Sequence, residues 1–166
     1  MEQTGNKFLL GGVLTQQRYN TKMTTNKREC GDCNACCVWL KGDAYGHEFG
    51  NGKPCHFLKN NCSIYEIRPE VCKRYQCAWL QGLFQENLRP DKSKVLITVE
   101  NWSKGQFLRA IEMGQKMDDN TLIEIQEFCK KHNCPAIVQY DGRVFVNGPE
   151  EFVAEKSPAL TSGSPA

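Results

Sequence analysis

The 166-residue sequence has no long apolar run and no strong excess of charge of either sign. Crossing a bilayer takes about 20 consecutive apolar residues, and no run here approaches that length. The formal net charge of +2 gives no general attraction to nucleic acid or to a membrane. We therefore expect a soluble globular chain without a membrane partner, and charge gives only weak support for nucleic acid as a partner.

The familiar catalytic motifs are absent as well. The sequence has no phosphate-binding glycine loop, no HExxH and no Gly-x-Ser-x-Gly. No cysteine and histidine stand at a spacing that marks a nucleophile and its base. Catalytic residues are therefore unknown from the sequence, and whether the protein is an enzyme is left open.

The N-terminus has no recognisable signal peptide. Its apolar segment, residues 8–14, is short and interrupted by glycine, Glu2 precedes it, and no small-residue cleavage site follows. We therefore expect a cytoplasmic protein. Residues 1–26 are rich in Gln, Asn, Thr and Lys, which predicts a disordered segment. Met23, just before the cysteines, is a second candidate start.

Against these absences stands a high number of cysteines. The chain has ten; eight lie between Cys30 and Cys77, and the other two are Cys129 and Cys134. Such a cluster is either a disulfide framework of a secreted protein or a set of thiolate ligands in a reducing compartment. The absence of a signal peptide favours thiolate ligands.

The pattern along the chain predicts an α+β fold in two lobes. A loop-rich cysteine lobe, residues 27–85, carries four glycines that break regular structure and one helix between Pro69 and Gly82, with Cys72 pointing inward. A small α/β lobe follows over 86–154. Residues 155–166 are predicted to be a flexible, disordered tail.

The second lobe is predicted to run strand, strand, helix, strand, strand. Residues 95–99 alternate as in a strand, and residues 106–113 are bracketed by glycines. Thr121-x-x-Glu124 resembles a capping box at the start of a helix that Cys134-Pro135 ends. Two apolar runs flanking Asp141-Gly142 predict a hairpin, namely 136–140 and 143–147.

The central string of the cluster is Cys30-Gly-Asp-Cys33-Asn-Ala-Cys36-Cys37. Thiolates with two residues between them suit a zinc site. Three cysteines in which each is separated from the next by two residues resemble instead the run that holds a [4Fe–4S] cluster. The spacing tilts slightly towards iron–sulfur and leaves zinc open. With the second stretch, the candidate metal ligands are Cys30, Cys33, Cys36, Cys37, Cys55, Cys62, Cys72 and Cys77.

Eight thiolates fit two tetrahedral sites or two clusters, and equally one centre with spare redox thiols. Successive side chains diverge in an extended chain. Cys36 and Cys37 therefore serve different sites, or one of them bridges two metals; one ligand beside one buried thiol is the alternative. Cys129 is predicted to be a core residue, and Cys134 near it completes no metal site.

Other residues around the cluster allow more than one interpretation. Six basic residues would stabilise an anionic thiolate centre, form a solvated charged face, or border a nucleic-acid patch: Lys27, Arg28, Lys59, Arg68, Lys73 and Arg74. We expect four aromatic residues to form a shell around the centre: Trp39, Phe57, Tyr65 and Trp79. His56 is either a ligand, a hydrogen-bond donor to one, or a surface residue.

The cysteine pattern resembles that of the YkgJ-type, or CxxCxxCC, cysteine-cluster proteins, a family described as zinc- or iron-chelating. The matching residues are Cys30-x2-Cys33-x2-Cys36-Cys37, Cys55, Cys62-Ser-Ile-Tyr65, Arg68-Pro69-x2-Cys72-x4-Cys77 and Leu88-Arg89-Pro90-Asp91-Lys92. The similarity covers roughly residues 28–113. It implies a metal centre but assigns neither metal nor reaction. Some related proteins are longer flagellin lysine methylases, and no methyl-donor fingerprint is present here.

These observations favour a metal-binding cysteine cluster protein with a structural or redox role. One alternative is a metal-dependent, methylase-like enzyme that modifies proteins, which only the resemblance supports. Another is a zinc-ribbon-like adaptor for nucleic acid or protein. A secreted disulfide protein is disfavoured by the missing signal peptide.

Overall fold

A computed structural model describes the backbone of residues 28–161 and the side chains of residues 28–157. The predicted α+β class is confirmed: a loop-rich, cysteine-bearing part precedes a four-stranded sheet with helices. The N-terminal segment predicted to be disordered, residues 1–26, lies outside the described residues. The division into lobes at residue 85 stays a prediction.

Short elements separated by loops make up the cysteine lobe. In chain order they are helix α1 (Cys36–Trp39), strands β1 (Gly42–Ala44) and β2 (His47–Phe49), and helix α2 (Glu70–Arg74). The hairpin of β1 and β2 was not predicted. Its turn is formed by Tyr45 and Gly46, both at positive φ, and the Gly46 N–H donates to the Asp43 carboxylate at 2.9 Å.

Helix α2 is much shorter than the helix predicted between Pro69 and Gly82. Pro69 is its N-cap rather than its first helical residue, and the helix ends at Arg74 because Tyr75 is extended. Soon afterwards the Ala78 N–H donates to the Ile97 carbonyl at 2.8 Å. The chain therefore leaves the helix to pair with the sheet.

The second lobe follows the predicted order. A short helix, α3 (Pro90–Ser93), leads into it, and the rest is β3 (Val95–Trp102), β4 (Gly105–Glu112), α4 (Asp119–His132), β5 (Ala136–Tyr140) and β6 (Arg143–Asn147). The sheet has the order β3-β4-β5-β6; β4 and β5 are parallel and joined through α4, and the other pairs are antiparallel.

Turn and cap residues fix the ends of these elements. Asp141 and Gly142, at φ 53° and 70°, form the tight turn between β5 and β6. Helix α4 begins earlier than the predicted capping box, because Asp118 is its N-cap and accepts the Thr121 N–H at 3.0 Å. Asn133, in the left-handed region, ends the helix just before Cys134-Pro135.

A further helix, α5 (Glu150–Thr161), closes the described chain. The tail predicted from residue 155 onward is therefore helical as far as Thr161, and residues 162–166 lie outside the described residues. Phe152 anchors α5, since it is fully buried against Phe107 and Ile137 of the sheet.

The two faces of the sheet are covered by different parts of the chain. On one face, Leu108 and Val138 pack against Ile125 of α4. On the other face, α5 covers Phe107, while Leu96 packs with Trp79 and other residues that belong to the cysteine lobe. The cysteine lobe therefore packs against this second face of the sheet.

Among the described residues, no helix has the length and apolar character needed to cross a bilayer.

Candidate metal centre

The first group of cysteines lies on a tight loop that leads into α1. The Cys33 N–H donates to the Cys30 carbonyl at 3.0 Å, and Gly31 between them has φ +57°, a conformation in which a side chain would be strained. Two residues later, Ala35 is buried in the apolar cluster that contains Leu96 of the sheet. This loop is therefore held in a turn and fixed to the sheet.

The second stretch of cysteines runs beside the first. The Cys55 N–H donates to the Cys37 carbonyl at 2.8 Å, and the Gly52 N–H donates to the Val38 carbonyl at 3.0 Å. A single antiparallel bridge pairs Leu58 with Cys62, so the chain turns back directly after Cys55. Backbone contacts therefore bring together cysteines that are far apart in the sequence.

Cys72 and Cys77 flank the end of α2 and have different thiol neighbours. The pKa of Cys72 is raised by burial and by the nearby thiols of Cys37, Cys55 and Cys62. The pKa of Cys77 is also raised, by burial first and then by the thiols of Cys30 and Cys33. Cys77 is the one buried cysteine among the eight candidates, and the other seven are partly exposed.

Cys36 and Cys37 form a direct pair. A hydrogen bond with Cys37 and burial raise the pKa of Cys36. The same hydrogen bond lowers the pKa of Cys37 to about 7, against its burial and with help from Arg68. The hydrogen bond therefore favours one ionised thiol in this pair, and the thiolate is the form that binds metals.

The cluster contains neither disulfides nor a finished ligand set. All ten cysteines lie within the described residues, and none forms a disulfide. Across residues 28–157, no three His, Cys, Asp or Glu side chains are arranged to hold a metal ion. The eight-thiolate ligand set therefore stays a prediction. Its donor chemistry fits zinc or iron–sulfur, both of which bind four thiolates.

Among the basic residues predicted near the centre, Arg68 is the one whose charge acts on the cysteines. It lowers the pKa of Cys30, Cys37 and Cys72, although burial outweighs it at Cys30 and Cys72. Lys73 and Arg74 instead lie within 3.4 and 3.6 Å of the Glu70 carboxylate. Arg28 donates to the carbonyls of Trp79 and Phe84, and Lys27 lies outside the described residues.

Arg89 fixes the cysteine loop to the second lobe, a role that sequence reasoning missed. Its Nη2 donates to the Cys30 carbonyl at 2.9 Å and to Asp32 Oδ1 at 2.6 Å. Its Nε forms an ion pair with Asp91 at 3.1 Å, and its guanidinium lies 5.4 Å from the ring centre of Trp79. Arg89 belongs to the Leu88–Lys92 segment of the family resemblance, which was the available signal.

Half of the predicted aromatic shell is present. Trp79 and Trp39 pack in the apolar cluster with Cys33 and Cys77. Tyr65 is instead exposed, and its ring stacks under the Arg68 guanidinium at 3.6 Å. Phe57 packs edge-on against His56. Tyr65 and Phe57 therefore lie with surface groups rather than in the buried cluster.

Tyr75 is an aromatic neighbour that was not assigned to this shell. Its hydroxyl is buried and has no hydrogen-bond partner among the described residues. Burial and the nearby thiols of Cys77 and Cys36 raise its pKa. An unpartnered buried hydroxyl is costly, so this one is available to a hydrogen-bond acceptor.

The remaining candidates have other neighbours. His56 is exposed and stacks on His47 with ring centres 4.1 Å apart, which agrees with a surface role. Cys129 is buried in the sheet core, as predicted, where a hydrogen bond with Cys134 and burial raise its pKa. Neither Cys129 nor Cys134 is among the thiols that raise the pKa of Cys30, Cys36, Cys72 or Cys77.

An open groove of about 540 Å³ lies between α3 and the start of α4. Its lining is mainly polar and includes Lys92, Asp118 and Glu124, but no cysteine. The groove and the thiol cluster are therefore separate features.

Comparison of the chain with protein-family models, curated proteins and solved structures gives no significant match.

Proposed function

We propose that this is a metal-binding protein whose cysteine lobe holds zinc or an iron–sulfur centre through its eight clustered cysteines. One observation carries the proposal: backbone contacts bring residues 51–55 alongside residues 37–39, so that thiols from two distant stretches become neighbours without disulfides. Thiolates that gather in this way repel one another, and a cation relieves the repulsion.

Two further features support a thiolate centre. Arg68 favours the ionised form of three of the cysteines, and metal binding requires that form. The Tyr75 hydroxyl lacks an acceptor that an anionic sulfur would supply. The resemblance to the CxxCxxCC family points to the same chemistry.

The role of the centre depends on the metal. Zinc in a closed four-thiolate site would cross-link the loops and contribute to folding, whereas an iron–sulfur cluster would add one-electron transfer. The spacing of Cys30, Cys33 and Cys36, with two residues between each cysteine and the next, slightly favours iron–sulfur. In both cases the chain supplies thiolates, a nearby cation and an apolar cover of Trp39 and Trp79.

The adaptor function gains little support. A nucleic-acid surface needs basic side chains that are available to phosphates. Three of the basic residues considered for it, Arg28, Lys73 and Arg74, contact groups of the protein itself. The methylase-like alternative rests on the family resemblance alone.

Anaerobic purification followed by elemental analysis and a visible spectrum tests the proposal. Broad visible absorption that bleaches on reduction identifies an iron–sulfur centre, and a colourless protein with stoichiometric zinc identifies a zinc site. Protein that contains neither metal contradicts the proposal, and mass spectrometry showing oxidised, paired thiols would support the disulfide alternative instead.

A further inference from the structure

The eight cysteines divide into two neighbouring sets, which the sequence alone does not reveal. Cys33 and Cys77 pack in the same apolar cluster against the sheet. Cys30 is joined to Cys33 by the backbone hydrogen bond of their turn. The pKa of Cys77 responds to the thiols of Cys30 and Cys33, and that of Cys36 to the same two besides its neighbour Cys37.

The other, outer set lies on α1, on α2 and on the segment between them. Cys55 is joined to Cys37 through the 2.8 Å backbone hydrogen bond, and the Leu58–Cys62 bridge turns the chain back a few residues later. Cys72 on α2 has the thiols of Cys37, Cys55 and Cys62 as its neighbours. None of these contacts involves Cys33 or Cys77.

The two sets meet at the Cys36–Cys37 pair. Cys37 contacts Cys36 and also influences Cys30, so it lies at the boundary. Its backbone bond to Cys55 and its effect on Cys72 place it with the outer set. Cys36 has Cys30 and Cys33 as its other neighbours, which places it with the inner set.

We propose that the lobe holds two separate four-thiolate centres, an inner one on Cys30, Cys33, Cys36 and Cys77 and an outer one on Cys37, Cys55, Cys62 and Cys72. This assignment rests on the proposed function, that the cluster binds metal, and it requires each set to close around its metal, because no three of the described side chains are arranged to hold one. Four thiolates complete the coordination of a zinc ion or of a [4Fe–4S] cluster. Adjacent cysteines that serve different centres also avoid bending two successive side chains towards one ion.

The two centres differ in their support. The inner one is anchored by Cys77 and the turn that Arg89 fixes to the second lobe. The outer one lies on a segment whose apolar residues include the exposed Ile67 and Val71. Because local opening is easier where few apolar contacts are lost, the outer centre releases its metal first.

Stepwise removal of metal from the anaerobically purified wild-type protein tests the assignment without substitutions. A chelator is added in stages, free thiols are alkylated, and peptides are mapped by mass spectrometry. The proposal predicts that Cys37, Cys55, Cys62 and Cys72 become labelled together, before the inner four. Labelling of all eight in one step, or of a group drawn from both sets, overturns it.

Paired substitutions give an independent measurement. C33S/C77S and C55S/C62S each lose about half of the bound metal, whereas the mixed pair C33S/C55S loses nearly all of it. C129S, outside both sets, retains wild-type stoichiometry. If the same-set pairs lose as much as the mixed pair while the labelling occurs in one step, there is a single centre. Wild-type protein without metal would instead refute the proposed function itself.

Discussion

The two halves of the molecule are held together in different ways. In the cysteine lobe as far as residue 76, the buried apolar residues are Ala35, Ala44 and Phe49, and the other buried apolar residues of that lobe pack against the sheet: Cys77, Ala78, Trp79 and Phe84. From residue 77 onward, the sheet buries large side chains on both faces, among them Leu108, Ile125 and Phe152. Burial of apolar surface therefore accounts for the stability of the sheet, whereas the cysteine half needs another source of stability, which metal–thiolate bonds would supply.

Removal of the proposed metal is expected to have the largest effect and to act on one half alone. Structural zinc contributes about 10–16 kcal/mol to the folding of small finger peptides. We expect amide hydrogen exchange to become much faster in residues 30–77 after chelation, while β3, β4 and β5 keep their protection. The comparison fails if exchange in residues 30–77 is unchanged after complete metal removal, or if the sheet opens to the same extent.

Truncation of the sheet core should produce the opposite pattern. Ile125 is fully buried between α4 and the sheet, and removing such a side chain costs about 2–5 kcal/mol. I125A should therefore lower the free energy of unfolding by that amount and leave the metal content unchanged. I123A, at an exposed site on the same helix, is the control and should cost far less. A loss of metal in folded I125A would show that the halves depend on each other.

Glu112 provides a pH-dependent contribution within the sheet half. Burial raises the pKa of its carboxyl, but the N–H groups of Gly142, Met117 and Asp141 outweigh burial and lower it. A carboxyl with a lowered folded-state pKa stabilises the protein above its unfolded pKa of about 4.3, and that contribution is lost as the pH falls through the folded value.

E112Q should therefore lower the free energy of unfolding at pH 7 by about 1–3 kcal/mol, since an amide cannot accept all three bonds. It should also weaken the acid-induced loss of stability, measured by denaturant titrations between pH 3 and about pH 7. E127Q, at an exposed site on α4, serves as the comparison. Parallel pH profiles of E112Q and wild-type protein would contradict this role.

The smallest effect is expected at the cap of α4. D118A removes the carboxylate that accepts the Thr121 N–H and should cost about 1 kcal/mol in thermal or chemical unfolding. N120A, two residues further along the helix and without a capping role, should lower the free energy of unfolding by less. Equal losses from the two substitutions would show that the cap contributes nothing.

The same contrast governs what the sequence could predict. The bounds of β5 and β6 follow from Asp141-Gly142 and from alternating apolar residues, because these patterns reflect burial on a sheet. In the cysteine half, no apolar period marks the β1–β2 hairpin or the end of α2 at Arg74. Tyr45-Gly46 was the overlooked turn signal there. The spacing of the cysteines predicts that they bind metal. Which thiols lie near one another depends on backbone contacts between distant stretches, such as that of Cys55 with Cys37.

Arg89 illustrates the same limit. The next residue, Pro90, marks only the start of α3. The guanidinium of Arg89, however, contacts Cys30 and Asp32, more than fifty residues earlier in the sequence. R89A is therefore a direct way to separate the halves without touching a cysteine. We expect it to hasten metal loss to a chelator and to leave the folding of the sheet almost unchanged.

Native mass spectrometry of the anaerobically purified protein, compared with the same sample after denaturation, most directly tests whether the clustered thiols bind metal. The account predicts that the native mass exceeds the polypeptide mass by that of zinc ions or iron–sulfur clusters, and that acid removes the excess. Identical masses before and after denaturation, from protein with reduced thiols, would contradict it.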